Sequence, residues 1–138
     1  MLPINIMKND IQNRADIELM VNSFYDKIRQ SEALGLIFDG IAKVNWEKHL
    51  PKMYSFWEMI VFGKDGYEGH PFRPHLALNN VHQLTPDLFA EWIETFCATV
   101  DEHFEGEKAM EVKMRAKNVA LSWAYKIDYM NQVNAEVQ

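Results

Sequence analysis

Four stretches of this chain repeat apolar residues at gaps of three and four, and they leave it little choice but to fold as packed helices. Ile17, Met20, Val21, Phe24 and Ile28 form one helical face over roughly residues 14–30. A second face includes His49, Met53, Phe56, Trp57 and Ile60. A third runs Phe89, Trp92, Ile93, Phe96, Val100 and Phe104, and a fourth Val112, Ala116, Val119, Trp123, Ile127 and Met130. Thr85-Pro86-Asp87 is a strong helix start, with a capping hydroxyl, proline at the first position and an acid at the positive end. Pro51 is tolerated in a first turn, so the second helix is expected to begin near residues 46–50, with His49 in that turn. A short apolar segment, Ala33-Leu34-Gly35-Leu36-Ile37-Phe38, lies between the first two helices. Residues 1–13 and 132–138 are polar and are expected to be loosely ordered ends of a single domain spanning 1–138.

The connector at 63–84 is too long for a turn between helices, and a loop of that length in a compact domain usually has a function. Its centre is His70-Pro71-Phe72-Arg73-Pro74-His75-Leu76-Ala77-Leu78. Each proline fixes its own φ and disfavours helix at the residue before it. The segment therefore reads as stiff, with room for little more than one helical turn. An imidazole on such a rigid support, His75, is a candidate metal ligand. The commoner reading of such a residue is a satisfied, half-buried histidine.

Composition excludes several functions. Of 138 residues, 20 are acidic and 14 basic, for a formal charge of −6, and the basic residues form no cluster. That argues against nucleic acid or an anionic membrane as partner. No apolar run reaches spanning length, and no signal sequence opens the chain, so a cytoplasmic location is expected. Cys97 is the single cysteine, which rules out an intrachain disulfide and reads as an inert core thiol. Four Trp and eight Met suit either a thick aromatic core or a cavity for a large flat ligand.

Tyr25, His49, Trp92 and His75 are the polar groups placed on or beside apolar faces. Taken singly, each is more often a packing residue. A His70/His75 metal pair lacks the carboxylate or cysteine that would complete a zinc set. No nucleophile triad, phosphate loop or paired-carboxylate motif is present. A plain helical bundle and two helix pairs crossed around a cofactor both remain open at this point.

A set of segments taken in order resembles a known family. They are Phe24-Tyr25-Asp26-Lys27-Ile28-Arg29, Leu34-Gly35-Leu36-Ile37-Phe38, Trp46-Glu47-Lys48-His49-Leu50 and Phe56-Trp57. Tyr67-Glu68-Gly69-His70-Pro71, His75-Leu76-Ala77-Leu78 and Phe89-Ala90-Glu91-Trp92 follow. Order and spacing resemble the truncated haemoglobins, and within them the third group, over roughly residues 14–130. The glycine pairs typical of the first two groups are absent.

The resemblance implies an all-α, two-over-two globin sandwich enclosing haem b. It implies His75 as the proximal iron ligand, with Tyr25, Trp92 and His49 on the distal side. Phe38 and Met53 would pack on the ring, Phe56, Trp57, Phe72 and Leu78 would complete the pocket, and Lys52 and Arg73 are candidates for the propionates on charge and position alone. It further implies binding of dioxygen and other diatomic ligands such as nitric oxide and carbon monoxide. A polar distal pocket suits slow release or oxygen chemistry better than bulk transport. Nitric oxide dioxygenation and peroxide reduction are the enzyme readings that follow. Either needs a separate, unidentified reductase, because the chain has no flavin or nicotinamide domain. The reading from another class is a haem-free helical bundle acting as an interaction module.

Overall fold

The structure, a computed structural model, describes residues 8–67 and 72–137. Among them the order is α1 (Arg14–Gln30), α2 (Glu32–Gly35), a π-helical stretch (Leu36–Ile41), α3 (Trp46–Phe62), α4 (Phe72–Val81), α5 (Pro86–His103) and α6 (Glu107–Val137). The fold is all-α. α1 packs on α3 and on α5, while α5 packs along α6 and α3 reaches α6. Two helix pairs are thus laid across each other, two over two.

Local sequence explains the boundaries. The Asn13 side chain accepts from Asp16 N at 3.0 Å and starts α1. Ser31 ends α1 and caps α2, accepting from Leu34 N at 3.3 Å. A Cβ on Gly35 would lie 2.6 Å from the Arg29 carbonyl oxygen, so glycine is what lets α2 close onto the end of α1. The wider π turn then carries Phe38 inward. Asn45 caps α3, and Gly63, at φ +67°, ends it in the left-handed region. Thr85, Pro86 and Asp87 start α5 as their chemistry dictates.

Two expectations are corrected. α3 begins at Trp46, within the expected 46–50 and with His49 in its first turn, but Pro51 lies beyond that turn, with one fewer backbone donor. The stiff connector holds a ten-residue helix, α4, in which Pro74 falls within the first turn, where a backbone donor has no partner to lose. α6 continues to Val137.

Asp10 and Ile11, ahead of α1, are held against the fold. Asp10 accepts from Lys108 N and Ala109 N, each at 2.9 Å, and so caps α6, while Ile11 is buried in the core. Gly106, at φ +141°, leaves space for this carboxylate, which a Cβ would meet at 2.6 Å. The core itself is aromatic. Phe96 stacks on Trp57 (4.9 Å) and Trp92 (5.7 Å), and Phe24 meets its edge at 5.2 Å. Burying each such ring contributes roughly 1.5–3 kcal/mol.

Candidate functional site

The helices do not close completely. Between α1, α3, α4, α5 and α6 lies an apolar cavity of about 440 Å³, within the range of small-molecule and cofactor sites. Tyr25, Phe38, His49, Met53, Trp92 and His75 all reach it.

One wall comes from α1 and α3. The Tyr25 hydroxyl and His49 Nε2 are 3.2 Å apart. Burial pushes the Tyr25 phenol above its ordinary range, so it stays protonated and remains a donor. Burial lowers His49 from its ordinary value, with electrostatic interactions with His75 and Lys52 adding to that, which favours its neutral imidazole. Trp46 supports both residues, with ring centroids 5.2 Å from Tyr25 and 5.6 Å from His49. The Trp46 indole N–H donates to Asp39 at 2.8 Å, Arg29 donates to the same carboxylate at 3.1 Å, and the Arg29 guanidinium lies 4.9 Å above the Trp46 ring. This brace joins α1, the π stretch and the start of α3. It places Phe38, which stacks on Trp46 at 6.0 Å, at the cavity.

Another part of the lining comes from α4 and α6. His75 is the fourth residue of α4, and its ring centroid is 4.5 Å from that of Trp123 on α6. α4 is anchored by Asn79, one turn further on. The buried Asn79 side chain donates to Asn131 Oδ1 of α6 at 2.8 Å and accepts from Leu84 N at 2.8 Å. From α5, Trp92 enters edge-on to Phe24 at 5.4 Å. Among the described residues no group of three His, Cys, Asp or Glu side chains could hold a metal ion. Among the described residues, His75 and His49 are the histidines at the cavity.

Most candidate residues named from the sequence meet here. His75, Tyr25, Trp92, His49, Phe38, Met53, Phe56, Trp57, Leu78 and Lys52 line one cavity. The side chains of Phe72 and Arg73 lie outside the described residues, as does His70. Trp123 and Tyr67 also line it and were not singled out. Trp123 sits at core spacing on α6, and periodicity cannot tell a residue facing a core from one facing a cavity. Cys97 lies away from the cavity, half-buried, with burial pushing its thiol up, so it stays in the unreactive thiol form.

No protein-family model matches the chain. A curated protein, the group 3 truncated haemoglobin of Campylobacter jejuni, is 28% identical over 117 residues, covering 83% of this chain and 90% of that protein. The crystal structure of a group III truncated haemoglobin from Campylobacter jejuni matches the fold with a TM-score of 0.78 at 25% identity, over 88% of this chain and 95% of that one. In sequence and in fold alike, then, the chain is similar to the third group of truncated haemoglobins.

Proposed function

We propose that the chain holds haem b in this cavity and reversibly binds dioxygen, nitric oxide and carbon monoxide. The observation that carries the reading is a single cavity lined both by the imidazole of His75 and by the hydrogen-bonded pair Tyr25–His49. The residues fit the group. The lining is largely aromatic and aliphatic, as a flat macrocycle needs, and Lys52 supplies a cation at the cavity for a propionate. A chain with one cysteine has no pair of thiols for covalent attachment, which favours haem b.

When bound, the haem supplies an iron atom with one face for a protein ligand and one for a diatomic molecule. His75 is the proximal ligand in this reading. Its helix is held by Asn79 and its ring by Trp123, so the imidazole is offered in one orientation. The distal residues are Tyr25, Trp92 and His49. Trp92 can only donate, Tyr25 can donate or accept, and neutral His49 does one at each nitrogen. A donor facing a ligand that gains negative charge stabilises it, and the more so in a site shielded from water. Phe38, Met53, Phe56, Trp57 and Leu78 exclude that water.

The test is the absorption spectrum of purified protein titrated with hemin. A saturable Soret band at one haem per chain is the expected result. Absence of specific uptake would leave a haem-free helical domain.

A further inference from the structure

α6 is apolar on two sides. Its inner face buries Ala109, Val112, Ala116, Ala120 and Ile127. The side facing solvent carries Met110 (68% exposed), Met114 (55%), Leu121 (72%), Tyr125 (75%) and Tyr129 (62%). At 100° per residue these five fall in one stripe opposite the core, roughly 28 Å long at 1.5 Å rise per residue. Single exposed apolar residues need no explanation, but five large ones on one side of one helix, interrupted by Asn118, mark an interaction surface. α6 also runs past the body of the domain. Gln132, Val133, Asn134 and Ala135 are exposed, although they remain helical. A helical end without packing is marginal in water, so this overhang asks for a partner as well.

Charge identifies the partner. Lys117 and Asp128 lie about three helical turns apart, hence on the same flank of the stripe. In a two-fold antiparallel pair of α6 helices the same flanks meet. Centred on Trp123, such a pair sets Leu121 against the partner's Tyr125 and brings Lys117 beside the partner's Asp128, each contact occurring twice. The same register lays the overhang beyond Asn131 over the partner's Met110 and Met114, so both unexplained features are covered together. In a parallel pair opposite flanks meet, so Lys117 and Asp128 would not pair across it.

We infer that the solvent face of α6 is a self-association surface, and that the occupant is a second copy of this chain docked antiparallel through α6. Trp123 and Val119, on the inner side of the same helix, line the cavity. The dimer would therefore stiffen the wall that faces His75.

Sedimentation equilibrium of the full chain over a range of concentrations tests this, with and without hemin. The expected result is a concentration-dependent monomer–dimer equilibrium. Leu121→Glu with Tyr125→Glu should yield a monomer with unchanged helix content by circular dichroism. Lys117→Glu and Asp128→Lys should each weaken the dimer by roughly two- to thirtyfold, from two exposed pairs of about 0.2–1 kcal/mol each, and the two together should restore it. A monomer at all concentrations would overturn the inference. So would a dimer indifferent to the Leu121 and Tyr125 changes, or a charge swap that fails to rescue. The readout is mass, so it stands whether or not hemin is taken up.

Discussion

The Tyr25 hydroxyl lies 3.2 Å from His49 Nε2, a contact that joins the middle of α1 to the first turn of α3 at the cavity wall. The phenol has one proton, so it cannot donate fully to His49 and to a ligand at once. A donor to a charged or strongly polar ligand contributes about 1.5–3 kcal/mol. Tyr25→Phe should therefore speed dioxygen release by roughly 10- to 150-fold, at about 1.4 kcal/mol per tenfold. Carbon monoxide, less polar when bound, should respond much less. His49→Leu should slow dioxygen release, because the phenol loses its competing acceptor. Stopped-flow release rates for the two variants check this. Unchanged dioxygen release in both would remove Tyr25 from the distal site.

α4 is fastened to α6 through Asn79 and Asn131. Asn131→Ala leaves a buried amide N–H of Asn79 without its acceptor, at a cost of about 1–3 kcal/mol. The hydrogen bond holds the helix that carries His75, so the loss should fall on the proximal wall. Haem transfer to an acceptor protein should speed up by roughly tenfold, a change of about 1.4 kcal/mol. Tyr25-dependent dioxygen release should hold. Haem transfer at the native rate would show that α4 is held by other contacts.

Asp10 makes stability depend on pH. Burial pushes its carboxyl up, but hydrogen bonds from the backbone of Lys108, Ala109 and Ile11 together outweigh that and hold it below its ordinary 3.8. A carboxyl lowered in the folded state adds stability above its unfolded pKa, which is lost as pH falls through the folded value. Asp10→Asn keeps one oxygen and turns an amide donor towards a backbone donor. Its melting temperature should lie below that of the native chain by a constant amount between about pH 5 and 7, and the gap should narrow below about pH 4. A gap that persists unchanged in acid would mean that the charge does not matter.

Gly35→Ala should destabilise the chain by about 1–3 kcal/mol, the usual cost of overpacking, because its Cβ meets the Arg29 carbonyl at 2.6 Å. Denaturant unfolding measures this. The damage should extend to the site, because Phe38 follows within the same turn of chain. A neutral effect would mean that α2 can back away from α1 freely.

Much of this was legible in the sequence because helical faces and caps are local. The stripe Ile17, Met20, Val21, Phe24, Ile28 and the start Thr85-Pro86-Asp87 behave as their chemistry dictates. Tyr25 and His49 could each be read as facing inward, but nothing local says that they meet, since the contact depends on how α1 crosses α3. α4 was not legible because prolines at 71 and 74 read as breakers, whereas Pro74 sits in a first turn where the missing donor costs nothing. The cap that Asp10 places on α6 joins the two ends of the chain, and no periodicity carries that information.

The account rests on His75 as the group that holds the iron, and the iron–histidine stretching band of the ferrous hemin-loaded protein measures that bond directly. Native protein should show the band. His75→Gly should lose it along with most of its haem, and added imidazole should bring back both. A native band and native haem content in His75→Gly without imidazole would contradict the account.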